Sequence, residues 1–193
     1  NWNQVCNCGM VLGALAIAER EPKLAKEIIE KSLLSNPIAM ATYAPNGVYV
    51  EGSGYWSYGT WFQVLMIEGL RSTLGSSFGI ENSEGFIQSA EFVNFMTAPT
   101  GHKFNYADNG STAKKHQNPL LAWFAAESNE SGYIYDDLRS LENGSIRIEE
   151  RRLLPVGMLF LARCNLKDTK PINSNFFVGR GKQPLFAYRS GRE

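Results

Sequence analysis

Between Trp56 and Leu74 the side chains of Trp56, Tyr58, Trp61, Phe62, Val64, Leu65, Met66, Ile67 and Leu70 cover nearly every side of a helix and leave almost no polar face. Such a helix is stable in water only when other elements enclose it, so the chain must fold in layers around it. Val5 to Ala18 repeats the pattern: Val5, Cys8, Leu12 and Leu15 recur at helical spacing, while Met10, Val11, Ala14 and Ile17 fill the opposite side. A helix buried on most of its circumference is expected there. Pro22 then occupies a position that a first helical turn accepts, and Leu24, Ala25, Ile28, Ile29 and Leu33 face away from Lys23, Lys26, Glu27, Glu30 and Lys31. That is an amphipathic outer helix.

A short helix is expected around Pro37 to Tyr43, ending at the turn Ala44-Pro45-Asn46-Gly47. After a Gly/Ser-rich break from Gly75 to Gly79, another covers Phe86 to Met96 and stops at Pro99-Thr100-Gly101. Apolar inner helices alternating with charged outer ones imply stacked α/α hairpins, as in bundles, solenoids or toroids. The remainder is different in kind. Leu120 to Ala126, Tyr133 to Leu141 and, opened by Pro155, Val156 to Ala162 read as shorter helices. Asn175 to Val178 and Leu185 to Arg189 read as strands joined by Gly179-Arg180-Gly181-Lys182. A lone ribbon of two strands is marginal in water, so these look like the opening of a β domain.

With 193 residues, 44% of them hydrophobic, the chain can bury one core. Its 19 Lys+Arg balance 19 Asp+Glu, which gives no sign of a general nucleic-acid-binding surface. The charge is nevertheless uneven: residues 151 to 193 carry nine Lys/Arg against Asp168 and Glu193, a net +7 that suits either an acidic ligand or a solvated tail. No apolar run is long enough to span a membrane. Cys6, Cys8 and Cys164 are too few for a disulfide framework and read as core thiols. The sequons at Asn109, Asn129 and Asn143 are weak signals in so Asn/Ser-rich a chain. Phosphate loops, nucleophile elbows, Cys-x-x-Cys pairs and His-Glu-x-x-His helices are absent from the sequence, so nucleotide hydrolysis, serine-hydrolase chemistry and zinc proteolysis have no support.

Three clusters can carry chemistry. In Glu51-Gly52-Ser53-Gly54-Tyr55-Trp56-Ser57-Tyr58-Gly59-Thr60 the glycines admit a ligand close to the backbone and Tyr55 and Tyr58 lie three apart. Aromatics beside glycine turns suit sugar rings, and the same spacing also serves a core. Asn1-Trp2-Asn3-Gln4 offers amides that either cap the following helix or bind a carboxylate. The third, Thr100-Gly101-His102-Lys103-Phe104-Asn105-Tyr106-Ala107-Asp108-Asn109-Gly110, combines an imidazole, an amine, a phenol and a carboxylate. His102 and His116 are the only histidines. Glu51, Glu68 and Asp108 are carboxylates from which a hydrolytic pair would have to come, and their spacing singles out no two of them.

Taken together, Asn1 to Asn7, Tyr43 to Gly47 with Glu51 to Thr60, and Gly101 with Phe104 to Asp108 resemble the heparinase II/III-like polysaccharide lyases, a family that includes related alginate lyases. The resemblance spans most of residues 1 to 164. It implies an incomplete (α/α) toroid over residues 1–164, followed in 165–193 by a linker and the first strands of a β-sandwich. The implied reaction is β-elimination on an acidic, uronate-containing polysaccharide, with no cofactor and no catalytic metal, in a periplasmic or secreted protein. Tyr55 best matches the catalytic tyrosine, with Tyr58 the competing alignment. Asn1 best matches the asparagine that neutralises the uronate carboxylate, with Asn3 the alternative. Saccharide contacts are expected from Trp2, Glu51, Trp56, His102, Asn105 and Tyr106. The family's further catalytic histidine lies in the sandwich, beyond anything in this sequence, and neither His102 nor His116 is assigned its role. The chain is accordingly read as an internal piece of a lyase, inactive alone. The rivals are an α/α-toroid glycoside hydrolase using Glu51 or Asp108, and a non-catalytic carbohydrate-binding protein.

Overall fold

The computed structural model describes residues 1–98, 102–109, 118–145, 153–172 and 175–190. The protein is mainly helical, with a small two-stranded antiparallel sheet near its C-terminal end. Helices α1 (Trp2–Ile17) and α2 (Pro22–Met40) form an antiparallel hairpin, fastened where Asn3 Nδ2 donates to the carbonyl and hydroxyl oxygens of Ser35 at 3.2 and 3.0 Å. Helix α3 (Gly52–Leu74) runs parallel to α1: Asn1 and Gln4 lie against Gly59, and Leu12 and Leu15 against Gly69. The α2–α3 contact is locked by a buried amide pair, Asn36 and Gln63, which donate to each other at 2.8 and 3.1 Å. One apolar cluster, including Cys8, Val11, Ala14, Ala25, Ile29, Met66 and Leu70, fills the space between the three helices.

The other face of α3 carries a larger core. Trp56, Trp61 and Val64 pack there with Tyr43 and Phe86, with Phe92 of α4 (Ser89–Phe95), with Trp123 and Phe124 of α5 (Leu120–Ser128) and with Phe160 of α7 (Leu154–Leu161). Between α5 and α7 a 3-10 turn (Ser131–Ile134) leads into α6 (Tyr135–Glu142). Strands β1 (Phe176–Gly179) and β2 (Leu185–Tyr188) pair Phe176 with Tyr188 and Val178 with Phe186. The ribbon is anchored by Phe177, which is buried against Phe92 and Phe95. Its opposite face, Phe176, Val178, Phe186 and Tyr188, is exposed.

Three expectations are corrected. The separate helix at Pro37 to Tyr43 is the continuation of α2, which runs through Pro37 to Met40. Proline there removes one backbone donor, and the burial of Asn36, Ala39 and Met40 keeps the helix going. Helix α1 is covered on one side only, because just α2 and α3 pack on it, so that Trp2, Met10, Leu12 and Ile17 are exposed. Cys6 is exposed rather than a core thiol, while burial pushes the Cys8 thiol up to about 12. Among the described residues no helix is long and apolar enough to cross a membrane, and no His/Cys/Asp/Glu group has the makings of a metal site.

Candidate active site

Helix α3 begins four residues earlier than its apolar pattern, at Gly52, and its own N-cap residue Glu51 gives no side-chain cap. The cap comes from far along the chain. Asn109 Oδ1 accepts from the Gly54 backbone N–H at 3.1 Å and from Ser53 Oγ at 3.3 Å, while its Nδ2 donates to the Phe104 carbonyl at 3.0 Å. An orphan donor of the first turn is thereby satisfied and the 104–109 loop is held on the helix end. Gly52, at φ +88°, allows this: a Cβ would stand 2.6 Å from the Tyr106 carbonyl oxygen. Asn109 is buried in this role, so its sequon is not a glycan site.

Tyr55 lies on the first turn and is 40% exposed, the open aromatic of the cluster. One helical turn further on is Gly59, where an added Cβ would meet Gln4 Oε1 at 2.6 Å, the Tyr49 hydroxyl at 3.0 Å and Asn1 Cβ at 3.1 Å. One turn back is Glu51, whose Oε2 lies 3.5 Å from the Asn1 backbone nitrogen. Asn1 thus lies near Glu51, just before α3, and near Gly59, one turn past Tyr55.

The two candidate asparagines are in different states. Asn3 is committed to the α1–α2 seam, where it also accepts from Asn7 Nδ2 at 2.9 Å. Asn1 is the N-cap residue of α1 but makes no cap bond, and its side-chain amide has no hydrogen-bond partner among the described residues although the side chain is only 4% exposed. The capping reading therefore fails. A largely enclosed amide with no partner among the described residues is what a carboxylate would find at this point.

Beneath Asn1 lies a buried polar relay that sequence reasoning did not single out. Tyr49 donates to Gln4 Oε1 at 3.1 Å, Gln4 Nε2 donates to the Tyr43 hydroxyl at 2.8 Å, and the Tyr43 and Thr60 hydroxyls bond at 2.7 Å. Burial raises the Tyr43 phenol well above the tyrosine range against the opposing bonds to Thr60 and Gln4. Burial also raises Tyr49, helped by Tyr43 and Glu51. Both phenols stay neutral, Tyr49 donating to Gln4 and Tyr43 accepting from it.

The remaining candidates separate. Trp56 is 0% exposed, with Nε1 donating to Ser89 Oγ at 2.8 Å, so it is a core residue and not a saccharide contact. Tyr58 is half-buried with its ring edge against Phe62, at 5.3 Å between centroids. Trp2 stands out into solvent beside Asn1. His102 and Lys103 run beside Thr97 and Ala98: Lys103 bridges Thr97, the Ala98 N–H donates to the His102 carbonyl at 2.8 Å, and His102 and Asn105 are exposed. Tyr106 is half-buried, its hydroxyl donating to Gln183 Oε1 at 2.9 Å. Thr100, Gly101 and His116 lie outside the described residues.

Glu68 makes no hydrolytic pair with Glu51. It accepts from Arg71 Nη1 at 3.1 Å, Arg163 Nη1 at 3.1 Å and Trp123 Nε1 at 2.8 Å. It is also 17 residues along α3 from Glu51, roughly 25 Å, against the roughly 5–10 Å that paired glycosidase carboxylates require. Compared with known proteins, the sequence matches no family model and no curated protein.

Proposed function

We propose that this chain belongs to a polysaccharide lyase that cleaves an acidic, uronate-containing polysaccharide by β-elimination, in a periplasmic or secreted protein. The helical hairpins are then part of an (α/α) toroid, and the ribbon is the start of a β-sandwich. The observation that carries the reading is an exposed Tyr55 on the first turn of α3 with Asn1 packed on Gly59 one turn further along, the Asn1 amide having no partner among the described residues.

In the reaction, the Tyr55 phenolate takes the C5 proton of the uronate. The C5–H electron pair forms the C4=C5 double bond, the C4–O bond breaks, and the departing oxygen receives a proton from the tyrosine hydroxyl. Charge accumulates on the uronate carboxylate as C5 is deprotonated, and the Asn1 amide N–H groups donate to it there. The Gln4–Tyr49–Tyr43 relay fixes α1 against α3 and so fixes the separation of the two groups. Trp2, on the open side of Asn1, offers a flat apolar face for a neighbouring sugar ring.

The test is near-ultraviolet absorbance of the unsaturated uronate while the full-length protein is incubated with alginate, heparan, chondroitin and hyaluronan, beside its Tyr55→Phe and Tyr58→Phe variants. A rise with one polymer that survives Tyr58→Phe and vanishes in Tyr55→Phe is expected. No rise with any polymer, or a rise unaffected in Tyr55→Phe, overturns the reading.

A further inference from the structure

The excess of positive charge in the last 43 residues is not evenly spent. Arg163 is committed to Glu68 and Glu127. Arg189 lies over the Phe95 ring, 4.1 Å from its centroid, and donates to the Asn94 carbonyl at 3.1 Å. Arg180 and Lys182 are otherwise placed. Both are exposed, and neither side chain has an ion-pair or hydrogen-bond partner among the described residues.

The backbone that carries them is nonetheless fixed. The Arg180 N–H donates to Asn46 Oδ1 at 3.1 Å, Gly181 packs so closely on the Ala44 carbonyl that a Cβ would lie 2.9 Å from its oxygen, and Gln183 receives the Tyr106 hydroxyl at 2.9 Å. Tyr106 in turn has its carbonyl against Gly52, the first residue of α3 and three before Tyr55. The β1–β2 turn is thus anchored at the end of α3 that carries the candidate site, and it presents two uncompensated cations on a rigid base. Cations carried side by side on a fixed backbone raise the local concentration of an anionic ligand beside them.

We infer that Arg180 and Lys182 form an anion-binding subsite that holds carboxylate or sulfate groups of an acidic polysaccharide outside the reacting ring. The inference rests on the lyase reading for its substrate, and its test separates the two. Arg180→Gln/Lys182→Gln in the full-length protein is compared with wild type for binding of alginate, which carries carboxylates alone, of heparin, which adds sulfates, and of neutral dextran. Two exposed charges should be worth about fivefold in Kd at low ionic strength, and high salt should erase the difference. A fivefold loss on heparin alone assigns sulfate, and on both polymers carboxylate. The charge-conserving pair Arg180→Lys/Lys182→Arg should bind as wild type does. Unchanged binding of both acidic polymers, or equal weakening on dextran, overturns the subsite. Unsaturated product is followed in the same samples: wild type that binds but forms none removes the lyase reading and leaves the subsite standing, whereas product formed by the double variant at unchanged KM removes the subsite and leaves the lyase.

Discussion

Asn1 rests on Gly59, so closely that a methyl group on Gly59 would stand 3.1 Å from Asn1 Cβ and 2.6 Å from Gln4 Oε1. The start of α1 is set against the first turns of α3 by the lack of a side chain at one position. Gly59→Ala gains about 1 kcal/mol of helix propensity but overpacks a buried polar contact at about 1–3 kcal/mol, for a net loss of roughly 1 kcal/mol in urea unfolding. The control is Gly69→Ala, whose new methyl would meet the mobile end of Leu12, Cδ2 at 2.6 Å, far from the site. It should cost similar or less stability and leave product formation intact, while Gly59→Ala lowers kcat beyond anything its stability explains.

Arg71 ties together three segments, bonding Glu68 on its own helix at 3.1 Å, Glu81 at 2.9 Å and Glu127 of α5 at 3.0 Å. Burial works against its charge, but the bonds to Glu127 and Glu81 raise its pKa on balance. For Glu81 burial is likewise outweighed, by bonds from Ser77 and Arg71, and its carboxyl is held below the usual range. A carboxyl lowered in the folded state stabilises above its unfolded pKa, near ~4.3, and that contribution is lost as pH falls through the folded value. Urea midpoints should therefore drop between neutral pH and about pH 3, and Arg71→Met should flatten that limb while costing about 2 kcal/mol at pH 7.

How far the sequence led depended on whether a feature was local. The inner character of α3 was legible because Trp56, Trp61, Val64 and Ile67 announce it by composition alone, and the ribbon because two short apolar runs, Phe176 to Val178 and Leu185 to Tyr188, flank the glycine-bearing turn Gly179-Arg180-Gly181-Lys182. The same composition misplaced Trp56, since a tryptophan beside glycines reads equally as platform or as core until its Nε1 is seen to reach Ser89. The Asn109 cap and the Gln4–Tyr49 bond join residues 55 and 45 apart, and no periodicity connects them. Asn1 and Asn3 could be ranked only by what else they bind.

Burial pushes the Tyr133 phenol up to about 12, aided by Glu91 and Glu130, and raises Tyr43 and Tyr49 further. Groups whose folded pKa is raised hold their protons longer folded than unfolded. Their stabilisation is complete below the unfolded tyrosine value near ~10 and declines as pH rises beyond it. Urea midpoints should be level to about pH 8, begin to fall as pH passes the unfolded thiol value near ~8.5 because Cys8 is buried, and fall more steeply above about pH 10, where Tyr133→Phe should make the fall shallower. An equally steep fall in that variant would show that Tyr133 takes no part in it.

The sharpest division of labour is between the two asparagines at the start of α1. Asn3→Ala removes bonds to both Ser35 oxygens and to Asn7, leaving the longer Asn7–Ser35 bond at 3.4 Å in the seam, and should cost about 1–2 kcal/mol while kcat of the surviving folded protein stays near wild type. Asn1→Ala removes an amide that bonds nothing among the described residues, so stability should change by less than about 0.5 kcal/mol. If that amide meets the uronate carboxylate as charge develops, its loss should lower kcat on the order of a hundredfold, as for a missing oxyanion donor, with KM little moved. Asn1→Asp puts a negative charge where the carboxylate must sit and should be worse than alanine. A stable, fully active Asn1→Ala protein would detach Asn1 from the chemistry and leave it a residue packed on Gly59.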